Sequence, residues 1–203
     1  MRVVDLMTTD PISVSPATGI KEAARIMFRH RVSGLPVVDG GNRIVGIITE
    51  ADFLRLEVQR EESDEPLDVE RVADVMNRGV VTVDPDASLY EAAKIMVAQD
   101  VKRLPVADDA GLLLGIISRA DVVSVFTRPD DVIEDEIRED LIRRVLFVDP
   151  DELDVSVENG VITFVGEIGT RTEARMLAEL ARRLDGVIRV DSRLTWRIDD
   201  TRT

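Results

Sequence analysis

The 203-residue chain contains no cysteine, which excludes a disulfide framework, a thiol nucleophile and any cysteine metal site. It has one histidine, His30, which argues against a histidine-rich metal centre and a histidine-based triad. Aromatic residues make up only 3%, so the cores must be built from Val, Ile, Leu, Ala and Met. No run of about 18 apolar residues exists, so no segment reads as a membrane-spanning helix. The opening MRVVDLMTTDP has no apolar run suited to a secretory signal, and the cytoplasm is the expected location. Basic residues are the minority, 26 Lys and Arg against 40 Asp and Glu, for a net charge of −14. That balance disfavours nucleic acid and anionic membrane as partners of the surface as a whole.

What the chain does have is an internal repeat. RIVGIITEAD (Arg43–Asp52) returns as LLLGIISRAD (Leu112–Asp121). Asp5 and Asp74, Met7 and Met76, Pro16 and Pro85, Glu22 and Glu91, Met27 and Met96, Pro36 and Pro105, and Gly46 and Gly115 share one constant offset of 69 residues. Such a register identifies two copies of one supersecondary unit. The units cover 1–57 and 71–127, with an acidic, solvated linker containing Pro66 between them.

Each unit predicts the order β-α-β-β-α. A short extended piece, Ile12–Val14 or Val81–Val83, is closed by Pro16 or Pro85. Ile20, Ala23, Ala24 and Met27 recur at helical spacing, as do Leu89, Ala92, Ala93 and Met96. Ser88 with Glu91 forms a capping-box pattern. LPVVD (Leu35–Asp39) and LPVAD (Leu104–Asp108) are followed by strands at Ile44–Ile48 and Leu113–Ile117, and second helices start near Glu50 and Arg119. The buried strands read as continuous apolar runs, which suits sheets covered by helices. The in-phase methionines read as core filler. His30 falls near a helix C-terminus, where a cation suits the dipole.

The composition changes after Thr127. Ile133, Ile137 and Leu141 predict an amphipathic helix ending near Leu146. Leu153, Val155 and Val157 alternate along a strand, and Asn159-Gly160 marks a hairpin. Thr170 and Glu173 form another capping box, and Leu177, Leu180, Ala181 and Leu184 share a helical face, with Asp185-Gly186 ending that helix. In the last strand Ile188, Val190, Leu194, Trp196 and Ile198 are expected inward, and Arg189, Asp191, Arg193, Thr195 and Arg197 outward. The fold class is α/β (α+β): two β-α-β-β-α units in one module, plus a small α-β-β-α-β domain.

Thr49 with Asp52, and Ser118 with Asp121, place a hydroxyl and a carboxylate three residues apart at the start of a helix. This is a capping pattern that needs no ligand. It also suits one, because free N–H groups at a helix start donate to phosphate and a carboxylate one turn on accepts from both ribose hydroxyls. The two roles are compatible.

The tandem units, with SGLPVVD (Ser33–Asp39), RLPVAD (Arg103–Asp108), GIITEAD and GIISRAD, resemble the cystathionine-β-synthase (CBS) domain family over about the first 127 residues. The resemblance implies two units packed through their sheets, with two clefts that take adenosine nucleotides (AMP, ADP, ATP or related compounds) as regulatory ligands. It implies a sensor rather than an enzyme, and a homodimer formed through the CBS pair. It puts the backbone of Leu35-Pro36 and Leu104-Pro105, with Ser13 and Thr82, around the adenine. Lys102 and Arg103 are expected to reach phosphates. Ser33 and Gly34 hold the matching positions of the first unit, so the Ser118/Asp121 cleft is expected to favour a phosphorylated ligand. No cofactor is required on this reading, and the overall acidity opposes tight binding of ATP without Mg²⁺.

Residues 131–203, through VSVENGVITFVGEI (Val155–Ile168) and LDGVIRVDSRL (Leu184–Leu194), resemble the BON domain, a small bacterial module. That resemblance implies an unknown protein or lipid partner and no catalytic residue. The acidic first helix weighs against anionic lipid. The arginines of the last strand, with Arg175, Arg182 and Arg183, read either as an anion-binding face or as a solvated one. The alternative to a sensor is a structural assembly protein, in which the CBS pair only dimerises and the BON-like domain tethers it to a lipid or envelope component.

Overall fold

The computed structural model describes residues 1–63 and 67–201. Pro66, which the sequence puts in the acidic linker, lies outside the described residues. The chain forms two compact units, Met1–Asp121 and Val122–Thr203.

The first unit runs through β1 (Thr8–Thr9), α1 (Ile20–His30), β2 (Gly34–Val38), β3 (Ile44–Thr49) and α2 (Glu50–Glu62). The second repeat follows with α3 (Val72–Val75), α4 (Leu89–Ala98), β4 (Arg103–Ala107), β5 (Leu113–Ser118) and α5 (Arg119–Ser124). The helical spacing read from the sequence buries Ala23 and Met27 in α1, and Ala92 and Met96 in α4. Ser88 caps α4: its Oγ accepts the Glu91 N–H at 3.2 Å, and the Glu91 carboxylate accepts the Ser88 N–H at 2.8 Å. Gly19 stands at the matching place in α1, which has no side-chain cap hydrogen bond. The extended pieces before each helix shrink to one parallel bridge apiece, Val14 to Val37 and Val83 to Val106. Pro16 and Pro85, two residues on, have no N–H to lengthen either ladder.

The two repeats exchange their leading segments. β1 pairs with β5 of the second repeat, in a sheet ordered β1-β5-β4. Val3 N–H donates to Ala87 O and Val4 N–H to Pro85 O, both at 2.9 Å. In return, Val72 N–H donates to Thr18 O at 2.8 Å, and Asn77 bridges Ile47 beside the β2-β3 pair. Val3 and Val72 are fully buried by this exchange; each such side chain contributes about 1.5–3 kcal/mol. Gly46 and Gly115 make room for it. A Cβ on Gly115 would lie 2.6 Å from Met7 Sδ and 2.9 Å from Thr8 O, and one on Gly46 would lie 2.6 Å from Met76 Sδ. Gly115→Val therefore pushes on backbone as well as on a flexible side chain. It is expected to destabilise the protein by about 1–3 kcal/mol, read as a lower urea midpoint at unchanged slope.

Several exposed carboxylates add a pH dependence. Asp74 accepts the Arg71 N–H at 2.8 Å and the Glu70 N–H at 3.0 Å, and these backbone donors hold its carboxyl below the ordinary range. The Ser88 N–H and hydroxyl do the same to Glu91. A folded-state pKa below the unfolded one stabilises the fold above the unfolded value, about pH 4. That stabilisation is lost as the pH falls through the folded value. Denaturant midpoints are expected to drop below pH 4, and less steeply in Asp74→Asn and Glu91→Gln.

In the second unit, α6 (Asp130–Glu136) continues as a π-helix over Ile137–Val145, burying Ile133, Ile137, Leu141 and Ile142. Then come β6 (Leu153–Glu158), β7 (Val161–Thr170), α7 (Arg171–Ala181) and β8 (Arg189–Ile198), in a sheet ordered β6-β7-β8. The expected α-β-β-α-β order is present, with an antiparallel β6-β7 hairpin and a parallel β7-β8 pair joined through α7. Asn159 and Gly160 carry the positive φ of the hairpin turn, and Asp130 accepts both of their N–H groups. Phe164, Ile162 and Leu177 lie fully inside the core.

Two expectations need correction. α7 ends at Ala181, before Asp185-Gly186, because Arg183 and Leu184 bond three residues back and tighten the last turn. Val190 and Leu194 of the last strand are buried, but Ile188, Trp196 and Ile198 are not. β8 closes the sheet on one side and has a strand neighbour on its other side only, so an alternating pattern there does not ensure a covered face. Trp196 instead lies under the Arg171 guanidinium, 5.3 Å from the ring centre.

Candidate functional site

β3 ends in Thr49, whose extended backbone turns into α2. The Asp52 carboxylate, only 5% exposed, reaches back to this turn. Its Oδ2 accepts the Thr49 N–H at 2.7 Å and the Thr49 hydroxyl at 2.8 Å, and its Oδ1 accepts from Arg55. β5 repeats the design: Asp121 Oδ2 accepts the Ser118 N–H and the Ser118 hydroxyl, both at 2.7 Å. The carboxylate half of the capping box is thus in place in both repeats. In the first, the Oδ1 side is held by an arginine that is itself 67% exposed, a contact of low net worth that a ligand hydroxyl can replace.

The Thr49–Asp52 turn forms one wall of a cleft of about 350 Å³. The other wall comes from the second repeat: Asn77, Val80 and Val81 after α3, then Gln99 to Arg103 and Pro105. The volume is that of a small-molecule site. Arg55, Lys102 and Arg103 bring cations; Glu50, Asp52 and Asp100 bring carboxylates.

Arg103 differs from the sequence-based expectation. Its backbone pairs with Ser118, yet its side chain crosses to the first repeat, where the guanidinium donates to Gly34 O at 3.3 Å and to Ser33 Oγ. Arg103 therefore stands with Thr49 and Asp52, and not with Ser118 and Asp121. The cause is Gly34: a Cβ there would lie 3.2 Å from Arg103 Cδ and Nε, so its absence leaves the path open. Burial lowers the Arg103 pKa, and Glu50 nearby opposes the shift. Among the described residues no carboxylate lies within ion-pair distance of this guanidinium. Partly buried, hydrogen-bonded only to neutral acceptors and with Glu50 acting from beyond ion-pair distance, it can take an anion directly.

Of the other expected residues, Ser33, Lys102 and Pro105 line the same cleft. Leu35 and Leu104 are fully buried in the core, so only their backbone is available. Pro36 is buried too, and its carbonyl accepts the Val14 N–H. Ser13 is half-buried beside that bridge. Thr82 lines a separate, more open hollow with Asp84, Glu91 and Lys94. Asn77, Val80, Val81 and Gln99 were not legible as site residues. Asn77 reaches the cleft through the segment exchange, for which a repeat register gives no signal.

Among the described residues no helix is long and apolar enough to cross a membrane. The CBS domain model matches residues 3–58 and 72–128, and the BON domain model matches residues 129–198. An inosine-5′-monophosphate dehydrogenase of Methanocaldococcus jannaschii is 37% identical over 59% of this chain, which spans 22% of that protein's length. An uncharacterised protein of the same organism is 32% identical, over 61% of this chain and 89% of its own length. A CBS domain pair in complex with 5′-methylthioadenosine and S-adenosyl-L-methionine is 28% identical, with a TM-score of 0.57 over 63% of this chain and 96% of its own. CBSX2 of Arabidopsis thaliana in complex with AMP is 32% identical, with a TM-score of 0.54 over 61% of this chain and 93% of its own. Two CBS models in tandem account for more than half of the residues, and the chain belongs to the CBS domain family, with a BON domain following its CBS pair.

Proposed function

We propose that the protein is a cytoplasmic, non-enzymatic sensor whose CBS pair binds an adenosine nucleotide, and whose BON domain carries the response to a partner. The observation that carries this reading is Arg103, a partly buried cation hydrogen-bonded only to neutral acceptors, beside the hydroxyl and buried carboxylate of Thr49 and Asp52. AMP offers a phosphate to Arg103 and Lys102, and ribose hydroxyls to the outer oxygen of Asp52 in exchange for the exposed Arg55. S-adenosylmethionine offers Arg103 only the carboxylate of its amino-acid tail, carried together with an ammonium and a sulfonium cation, so the phosphorylated ligand is preferred. ATP enters this acidic protein with Mg²⁺.

Binding acts by shifting the population of packing states of the repeats, or of two chains. A homodimer is supported by apolar side chains left in water on the CBS helices, Phe28 at 89% exposed and Val97 at 81%, with Leu54 and Tyr90. The same exposed side chains also fit the assembly-protein reading, in which the clefts stay empty. On the anion question, Arg193 pairs with Asp191 at 2.7 Å and Arg197 with Glu167 at 3.2 Å, which supports a solvated face.

Calorimetry of the apo protein with AMP, ADP, ATP, NAD and S-adenosylmethionine tests the proposal; heat with none of them defeats it. Liposome sedimentation of the full chain at low and high salt, without nucleotide binding, would favour the assembly reading. Asp52→Ala and Asp121→Ala are each expected to weaken AMP binding by about 1 kcal/mol, the net worth of one hydrogen bond to a carboxylate that is already partly satisfied. No effect from either removes the ribose role.

A further inference from the structure

β8 is ten residues long, contains no proline, and follows β7 at constant register from Arg189 to Trp196. It ends the sheet, so its outer edge offers unpaired N–H and C=O groups. Such an edge is normally guarded by a short strand, a bulge, a proline or charged side chains; of these β8 has only the charges, Arg189, Asp191, Arg193 and Arg197. Two of its apolar side chains on the helix-facing side, Trp196 and Ile198, remain in water, Ile198 at 62%.

The order of charges along this edge selects among the possible registers. A two-fold axis normal to the sheet pairs β8 antiparallel with a second β8 and sets one residue opposite itself. With Leu194 at the centre, Asp191 faces the partner's Arg197, Arg189 faces the partner's Asp199, Val190 faces the partner's Ile198, and Arg193 faces the partner's Thr195. Opposite charges meet at Asp191 and Arg189, apolar side chains meet at Val190, Arg193 and Trp196 face the hydroxyl residues Thr195 and Ser192, and no like charges meet. Moving the centre to Arg193 sets Arg193 on itself and Arg189 against the partner's Arg197. Moving it to Thr195 sets Arg193 against the partner's Arg197 and Asp191 against the partner's Asp199. Both put like charges face to face. Centring on Ser192 also avoids like charges, setting Asp191 against the partner's Arg193, but it leaves seven residues of β8 in the ladder where the Leu194 centre has nine; centres further out shorten it more. Within one chain Asp199 accepts from Arg171, Asp191 pairs with Arg193 and Arg197 with Glu167; such exposed pairs are of low net worth, and the Asp191–Arg197 pair, made twice by symmetry, replaces two of them.

We infer that the BON domain has a homotypic interface, in which the β8 edges of two copies join in antiparallel register centred on Leu194 to form a continuous six-stranded sheet. The partner is a second copy of this chain. The inference does not depend on nucleotide binding or on the CBS helices.

The absence of cysteine makes the register directly testable in the full chain. Arg193→Cys and Thr195→Cys are both at exposed positions. Each variant oxidised alone is expected to stay uncross-linked, and an equal mixture of the two to form a disulfide-linked dimer, because only that mixture sets two thiols opposite one another. Cross-linking of Arg193→Cys alone or of Thr195→Cys alone reports a shifted register and overturns the inference. So does no cross-linking at all, or equal cross-linking in all three samples. Within the mixture, adding Asp191→Arg to both chains is expected to abolish the cross-link, and Asp191→Arg with Arg197→Asp to restore it. Failure of the double reversal to rescue overturns the charge pairing.

Discussion

Arg103→Ala is expected to raise the Kd for AMP by about 10- to 150-fold, the loss of about 1.5–3 kcal/mol for hydrogen bonds to a charged group. Adenosine, which has no phosphate, is expected to change far less. The asymmetry follows from position. The guanidinium reaches over Gly34 into the Thr49/Asp52 cleft and holds only neutral acceptors there. A phosphate replaces a serine hydroxyl and a carbonyl with a full counter-charge in a partly desolvated site, where attraction is screened less than in water. Calorimetry of the variant with both ligands checks it; equal losses for AMP and adenosine would sink the phosphate role. Gly34→Val is a second route to the same result, because its side chain enters the path of Arg103 Cδ and Nε.

The largest effect on stability is expected at Phe164. It is fully buried at the centre of the second unit's core, among Ile162, Ile168 and Leu177. Phe164→Ala removes its ring and leaves a cavity, at a cost of about 3–5 kcal/mol. For a small domain that is a large share of the stability available. The change lies outside the unit that holds the cleft, so AMP binding is expected to persist while the second unit loses its cooperative transition. Differential scanning calorimetry with and without AMP separates the two. Loss of AMP binding in a variant whose first unit stays folded would show that the BON core supports the cleft.

The readable part of this protein is the part made by neighbours in sequence. Helical spacing placed Ala23, Met27, Ala92 and Met96 inside, and alternation placed Leu153, Val155 and Val157 inside. Ser88 with Glu91, and Thr170 with Glu173, capped the helices they were read to cap. These features depend on dihedral preferences and on the period of side chains along one element, and both are written into a short stretch of residues. The same logic failed along β8. Trp196 and Ile198 alternate correctly, yet both stay exposed, Trp196 beneath the Arg171 guanidinium, because alternation reports which side a residue faces and not how far the core extends.

By itself the sequence determined the two repeats, their elements, the paired Thr49/Asp52 and Ser118/Asp121 turns, and the change of domain after Thr127. Only the tertiary structure decided which pieces share a cleft. Two near-identical units leave open whether each leading segment stays at home or crosses over; here Met7 settles on Gly115 and Met76 on Gly46. The first positions of β2 and β4 bear no sign in sequence of their closeness, and a glycine at one lets an arginine from the other change clefts. Arg103 was visible from the start as a cation near phosphate; that it serves Thr49 and Asp52 depends on a non-local contact with Gly34, 69 residues away.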